Sequence, residues 1–83
     1  MTKMEILHMP GCSCCNQAIG YAENLKKEFD LEVETIDMTK NPEVVDKYNI
    51  RTSPGIVING KLVSIGETTE QDMRKLLQEE QSK

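Results

Sequence analysis

The chain has 83 residues, the length of one small domain, and leaves no room for a second lobe. Its hydrophobic content of 37% is enough for a modest core, and 14 acidic against 10 basic residues give a net charge of −4. The basic residues are scattered and form no stripe, which argues against a protein that binds nucleic acid. The apolar runs, such as residues 56–58, fall far below the roughly 18 residues of a membrane span, so we expect no membrane association.

Three cysteines stand within four positions, at Cys12, Cys14 and Cys15. The residues after Met1 lead into no hydrophobic signal segment, so we expect the protein to be cytoplasmic. The cytoplasm is reducing, and cysteines this close in sequence cannot stabilise a fold by cross-linking distant segments through disulfides. The cluster is therefore expected to serve thiol chemistry or metal binding, with coincidence as the remaining explanation.

The chain reads as seven short elements that follow one another without a linker or repeat. In chain order they are a strand at residues 4–9, a helix from the cysteine cluster to about residue 30, a strand at 31–37, a short helix at 42–49, strands at 56–59 and 62–65, and a helix from about residue 70. Pro10-Gly11 ends the first strand immediately before the cysteines. Apolar residues at helical spacing follow, which predicts an amphipathic helix with Cys12 at its N-cap or first turn.

The second half of the chain carries the clearest turn signals. Asn59-Gly60 tolerates positive φ and suits the tight turn of a hairpin between two antiparallel strands. Thr68 and Thr69 stand at capping distance before the last helix, and residues 78–83 are expected to fray. The pattern therefore predicts one α/β domain over residues 1–83 with the order βαβ, α, ββ, α.

The cysteines include one C-x-x-C pair, Cys12 and Cys15, at a junction between a strand and a helix. A helix N-terminus presents free N–H groups and the positive end of its dipole, which favours a thiolate at Cys12. Cys15 lies one turn further on, close enough to form a disulfide with Cys12. Cys14 is two residues from Cys12 and therefore points to another side of the helix. His8 is the one histidine and is predicted to contribute little to the thiolate.

Three features of the chain occur together: the Cys12 to Cys15 motif after the first strand, Thr52-Ser53-Pro54 before the hairpin, and the terminal helix after Asn59-Gly60. This combination resembles the thioredoxin superfamily, in particular its small, glutaredoxin-sized members of archaea and anaerobic bacteria. The resemblance covers nearly the whole chain. It implies a thioredoxin-like fold with a four-stranded mixed sheet flanked by helices on both sides, and a cis proline at Pro54 that faces the dithiol.

The resemblance also implies an activity, that of a thiol-disulfide oxidoreductase that reduces protein or small-molecule disulfides. The residues that it assigns are Cys12 and Cys15 as the catalytic dithiol, Thr52, Ser53 and Pro54 as the substrate-binding loop, and Cys14 as an accessory thiol. The expected partners are disulfide-containing clients and an electron donor of the thioredoxin reductase type or another thiol. We expect a monomer that requires no cofactor and no metal.

Two alternative interpretations of the cysteines remain open. Three thiols within four residues suit a soft ion such as Cu(I) or Zn(II), so the protein is alternatively a metal-binding or metal-delivery module using Cys12, Cys14 and Cys15. Small copper chaperones, however, have the order βαββαβ, which the helix after Asn41-Pro42 does not fit. A second alternative is an iron–sulfur-binding, glutaredoxin-like dimer that shares Cys12 and needs an external thiol.

Overall fold

The computed structural model describes residues 2–82, and the seven predicted elements are all present. They are, in chain order, β1 (Thr2–His8), α1 (Ser13–Leu25), β2 (Leu31–Asp37), α2 (Pro42–Tyr48), β3 (Gly55–Ile58), β4 (Lys61–Ile65) and α3 (Glu70–Gln81). This confirms the predicted order βαβ, α, ββ, α. Within the described part of the chain, no helix is long and apolar enough to cross a membrane.

The four strands form one mixed sheet in the order β2-β1-β3-β4. β1 runs parallel to β2 and antiparallel to β3, and β3 pairs antiparallel with β4. The parallel pair needs a crossover, which α1 supplies, and the hairpin closes at Asn59 and Gly60, both with positive φ. Because β1 and β3 are antiparallel neighbours, the residues after β1 and before β3 meet at one end of the sheet.

The sheet is covered on both faces, as predicted for a thioredoxin-like fold. Successive side chains of a strand point to opposite faces, so neighbouring residues of β1 enter different cores. Ile6 packs in the larger core with residues of α1 and α3, whereas Leu7 packs in the smaller one with residues of α2. All four residues of β3 are buried, which is typical of a central strand enclosed on both sides.

Two helix ends differ from the sequence prediction. α1 ends at Leu25 rather than near Asp30. Just beyond Leu25 two backbone hydrogen bonds span three residues instead of four, since the N–H of Lys27 bonds to the carbonyl of Asn24 and the N–H of Glu28 bonds to the carbonyl of Leu25. Phe29 still packs against the core, which explains why the apolar spacing continued beyond the helix.

The fraying predicted from residue 78 falls partly on α3, since residues 78–81 are helical in the structure. Two contacts account for the longer helix. Leu77 is fully buried one turn before the end, and the Gln81 amide donates a hydrogen bond to the Thr2 hydroxyl of β1 at 3.2 Å. The end of α3 is therefore held against the first strand.

Candidate active site

The cysteine motif follows β1 through a turn that the sequence makes possible. Gly11 has a φ of +78°, a backbone region that glycine occupies readily, and the N–H of Cys12 bonds to the Met9 carbonyl at 3.3 Å. This reversal places Cys12 at the start of α1, with the extended backbone of an N-cap residue. The N-cap position predicted from the sequence is confirmed.

The Cys12 sulfur occupies the position of a capping oxygen. Its Sγ accepts the backbone N–H of Cys15 at 3.1 Å, and its carbonyl accepts the N–H of Asn16 at 3.3 Å. A sulfur in this position faces the free N–H groups of the first turn, which stabilise negative charge. The N-terminus of α1 therefore directs its N–H donors at Cys12 Sγ, the atom that carries the charge of a thiolate.

The pKa of Cys12 is lowered from the ordinary value of a thiol. The largest cause is the hydrogen bond from the Cys15 side chain, followed by that from the Ser53 hydroxyl. The backbone N–H groups of Cys15 and Cys14 add smaller contributions, while partial burial acts in the opposite direction. The sequence indicated the helix end as the main cause, whereas the two side-chain donors are stronger.

Cys15 lies in a different environment from Cys12. Its side chain is 1% exposed, and burial raises the pKa of its thiol, with the hydrogen bond to Cys12 as the second cause. The motif therefore pairs a partly exposed cysteine that favours the thiolate with a buried one that favours the thiol. Such a difference suits a dithiol in which one sulfur attacks an external group and the other acts afterwards.

The segment before β3 contacts the Cys12 sulfur at the end of the sheet where β1 ends and β3 begins. The Ser53 hydroxyl donates a hydrogen bond to Cys12 Sγ at 3.5 Å, the Ser53–Pro54 peptide bond is cis, and Pro54 is buried. Thr52, next to them, is exposed. The Pro54 carbonyl accepts the N–H of Gly66 at 2.7 Å, which ties this loop to the end of β4.

The backbone of Ser53 is left available by these contacts. Among the hydrogen bonds outside helices and strands in residues 2–82, none involves the Ser53 N–H or C=O. Ser53 was assigned to the substrate-binding loop from the sequence. The hydrogen bond from its side chain to the sulfur was missed, because only the fold brings two residues 41 positions apart into contact.

Within residues 2–82, neither of the remaining candidates, Cys14 and His8, makes a side-chain hydrogen bond to Cys12 or Cys15. Cys14 is half-buried on α1, and its contribution to Cys12 comes from its backbone N–H. His8 acts electrostatically on Asp37 of the neighbouring strand, where it helps to lower the pKa of that carboxyl after the larger effect of the Thr39 hydrogen bonds. His8 is the register partner of Asp37 in the sheet, and it is not among the causes that shift the pKa of Cys12.

Metal binding was the main alternative interpretation of the cysteines. The three thiols are free, and within residues 2–82 no three or more His, Cys, Asp or Glu side chains are grouped to hold a metal ion. Cys12, Cys14 and Cys15 therefore do not form a preassembled ligand set, and no observation at the site favours this alternative.

A thioredoxin-like fold that carries a C-x-x-C dithiol at a helix N-terminus defines a class of redox proteins, and comparison with known proteins gives the same class. The sequence pattern of the thioredoxin domain family matches residues 2–78. A probable thioredoxin of Methanothermobacter thermautotrophicus is 28% identical over 82 residues, covering 96% of both chains. A thioredoxin of Methanocaldococcus jannaschii is 35% identical over 71 residues, covering 83% of this chain and 84% of its own.

Solved structures agree on the fold. A mutant thioredoxin of Halobacterium salinarum superimposes with a TM-score of 0.81 at 22% identity, covering 94% of this chain and 73% of that one. Chloroplastic thioredoxin z superimposes with a TM-score of 0.84 at 20% identity, covering 100% of this chain and 80% of that one. The chain belongs to the thioredoxin domain family, and its relatives support the general role of a thiol-disulfide oxidoreductase.

Proposed function

We propose that the protein reduces disulfide bonds of proteins or small molecules through the dithiol of Cys12 and Cys15. The observation that carries the proposal is the asymmetry of the two sulfurs. Cys12 is partly exposed and its sulfur accepts hydrogen bonds from the Cys15 N–H and the Ser53 hydroxyl, while Cys15 is buried one turn behind it. This arrangement provides one activated nucleophile and one resolving thiol.

The reaction proceeds in two exchanges of sulfur. The Cys12 thiolate attacks one client sulfur, a Cys12–client disulfide forms, and the other client sulfur leaves as a thiolate and takes a proton from water. Cys15 then loses its proton to water and attacks Cys12 Sγ, which releases the second client thiolate, and this thiolate also takes a proton from water. The client disulfide gains two electrons and two protons, and Cys12 and Cys15 end as a disulfide. An electron donor of the thioredoxin reductase type, or another thiol, returns the dithiol to its reduced state.

The loop at residues 52–54 is proposed to bind the client's backbone. Support comes from the free N–H and C=O of Ser53, which suit pairing with an extended peptide beside the sulfur. Exposed Thr52 lies at the outer side of this loop, and buried Pro54 forms its base. An extended client held here has its disulfide next to Cys12, which is the positioning that sulfur exchange requires.

Two exposed apolar side chains support client binding at this loop. Met9 and Ile65 are the exposed large hydrophobic residues of the described chain, at 43% and 46% exposure. Met9 accepts the Cys12 N–H through its carbonyl, and Ile65 precedes Gly66, which bonds to Pro54. Both therefore belong to segments whose backbones are hydrogen-bonded to Cys12 or to the loop at residues 52–54, and apolar contact with a client there adds affinity.

Cysteine variants test the proposal most directly. We expect Cys12→Ser to abolish disulfide reduction, Cys15→Ser to accumulate mixed disulfides with clients, and Cys14→Ser to retain most activity. The assay follows reduction of a protein disulfide by the purified protein, supplied in turn with a thioredoxin reductase and with glutathione. Serine is the matched replacement at Cys12, because its hydroxyl still caps α1.

Peptide mapping of the oxidised protein gives a second measurement. We expect a Cys12–Cys15 disulfide, and Cys14 as a free thiol. Loss of activity in Cys14→Ser comparable to that in Cys12→Ser, together with bound metal in the purified protein, would contradict the proposal and favour a metal-binding module. Cytoplasmic location and a monomeric state are part of the same proposal and are measured by fractionation and by sedimentation.

A further inference from the structure

A cavity lies between the end of β1 and helix α2. Its volume is about 420 Å³, which falls in the range of pockets that bind small ligands. Its walls include the apolar side chains of Met9, Met38, Val45 and Ile50. Two exposed charged residues, Asp46 and Arg51, also line it. An occupant of this cavity therefore meets both an apolar surface and charged groups.

The cavity is connected to the dithiol by two short stretches of chain. On one wall, the Met9 carbonyl accepts the N–H of Cys12 at 3.3 Å. On another, Arg51 stands two positions before Ser53, whose hydroxyl donates to Cys12 Sγ. Two residues of extended chain span at most about 7 Å. A client joined to Cys12 therefore reaches the cavity with a side chain roughly two or three residues away from its own cysteine.

Arg51 brings a guanidinium without a partner to this cavity. Within residues 2–82 its side chain makes no hydrogen bond and no ion pair. The chain's other arginine, Arg74, differs, since its Nε and Nη2 donate to the two carboxylate oxygens of Glu28 at 3.0 and 2.7 Å. A guanidinium favours such two-point pairing with a carboxylate. Arg51 is therefore available to a carboxylate that enters from outside.

Asp46 carries the opposite charge in the same cavity. It belongs to α2 and forms no ion pair with Arg51 among the described residues. Arg51, in contrast, directly precedes the loop at residues 52–54. The positive charge thus stands beside the proposed client-binding loop, while the negative charge lies on the helix opposite.

The walls of this cavity are adaptable. Met9 is 43% exposed, and a methionine side chain, unbranched and polarisable, fits partners of different shape. Helix α2, which supplies Val45 and Asp46, has no buried residue, whereas α1 has four and α3 has two. An element that buries little apolar surface opens at a low cost in free energy. The cavity can therefore widen around an apolar side chain without disturbing the sheet.

We propose that this cavity selects clients by the residues that flank their cysteine. The occupant is a segment of the client, about two or three residues from the reacting cysteine, with a large apolar side chain next to an acidic one. The apolar side chain packs on Met9 and Val45, and the carboxylate pairs with Arg51. This selection rests on the proposed function, because the exchange of sulfur with Cys12 positions the client. It adds a substrate class to that function, namely protein disulfides in acidic and apolar surroundings.

The first test needs no redox reaction. The probe is an extended peptide with serine in place of its cysteine and a leucine–glutamate pair at the flanking positions, titrated into protein labelled at the methionine methyl groups. We expect the NMR signals of Met9 and Met38 to shift, while Met4 and Met73, fully buried in the larger core, stay unchanged as internal controls. Peptides in which serine replaces the leucine, or glutamine the glutamate, should give smaller shifts at the same concentration.

The second test measures selection during turnover. Two peptide disulfides that differ only in glutamate or glutamine beside the leucine are reduced by the protein, and the ratio of their kcat/KM values is the readout. We expect a ratio of about three in favour of glutamate, which falls as salt screens the charge. Arg51→Gln should bring the ratio to about one, and Asp46→Asn should raise it. Lys27→Gln is the matched control, since it removes an exposed positive charge that does not line the cavity, and it should keep the wild-type ratio.

The outcomes separate client selection from the proposed function. If the wild type reduces no disulfide, the proposed function fails, while the methyl signals still report whether the cavity binds the serine peptide. If the wild type is active but Met9 and Met38 do not shift, or Met4 and Met73 shift equally, selection by the cavity is overturned and the function stands. A glutamate preference that Arg51→Gln leaves intact would also overturn it. Should Arg51→Gln not fold, the two peptides still make the comparison on the wild type, where equal kcat/KM values would contradict the selection.

Discussion

The thiol of Cys12 shows how one side chain can serve both stability and chemistry. Its sulfur caps α1 by accepting the Cys15 N–H, and the pKa of the thiol is lowered by the hydrogen bonds from the Cys15 and Ser53 side chains, with a smaller contribution from the capping N–H. A group whose pKa is lower in the folded than in the unfolded chain contributes stability above its unfolded pKa, and this contribution is lost as pH falls through the folded pKa. The reduced protein should therefore gain stability from Cys12 as pH rises toward the ordinary range of a thiol.

Alkylation kinetics measure the same shift directly. We expect iodoacetamide to modify Cys12 with a half-maximal rate at a pH below the ordinary pKa of cysteine, because the thiolate is the reacting form. The control is the same chain in denaturant, where the donors at the sulfur are lost and the midpoint should return to the ordinary range. Identical midpoints in the folded and unfolded chains would show that the hydrogen bonds at Cys12 have no effect on its ionisation.

At the scale of elements, helix starts are well defined by local sequence in this chain. Thr69 is the N-cap of α3, and its hydroxyl accepts the N–H of Asp72 at 3.1 Å. The capping signal was visible in the sequence, since threonine precedes acidic residues and an apolar pattern. Helix ends are less local: α3 extends to Gln81 through contacts with β1, and α1 stops at Leu25 although the apolar spacing continues.

The cap of α3 gives a prediction at this scale. We expect Thr69→Ala to lower the free energy of unfolding by about 1 kcal/mol, because the N–H of Asp72 loses its acceptor. Thr69→Ser keeps a hydroxyl at the cap and should remain close to the wild type. Urea unfolding of the three proteins measures the difference. A Thr69→Ala variant as stable as the wild type would mean that water replaces the cap without cost.

At the scale of the whole molecule, the active-site loop rests on the smaller of the two cores. Gly55 follows Pro54 directly, and a Cβ atom at this position would overlap with Ile50 Cδ1 and touch Leu7 Cβ at 3.4 Å. Ile50 is 1% exposed and lies in the core that also contains Leu7 and Val57. The absence of a side chain at Gly55 therefore allows the loop to pack against this core.

This contact predicts a coupling between two residues. We expect Gly55→Ala to destabilise the protein by about 1–3 kcal/mol through overpacking. Ile50→Val removes the Cδ1 atom and alone should cost about 1 kcal/mol. The double variant should lose less stability than the sum of the two single variants, because the new methyl group enters the space that Cδ1 has left. Denaturant unfolding of the four proteins measures the coupling, and strict additivity would contradict it.

The element order, the Asn59-Gly60 hairpin and the N-cap position of Cys12 were all predictable from the sequence. Each depends on residues close together along the chain: an apolar period, a turn pair that tolerates positive φ, or a breaker before a helix. The C-x-x-C pair was visible for the same reason, since four consecutive residues place both sulfurs on one helix turn. Such patterns can be read from the sequence because each one favours a particular local backbone geometry.

Tertiary structure alone decided what surrounds the dithiol. The Ser53 hydroxyl meets Cys12 Sγ, and α3 is anchored by Gln81 to Thr2, in pairs that are 41 and 79 residues apart. His8, close in sequence to the cysteines, acts on Asp37 of the neighbouring strand instead. These contacts depend on which strands are neighbours in the sheet and on how they are aligned. Since the order β2-β1-β3-β4 brings the loop before β3 to the end of β1, the fold, rather than any local motif, supplies the hydroxyl at the sulfur.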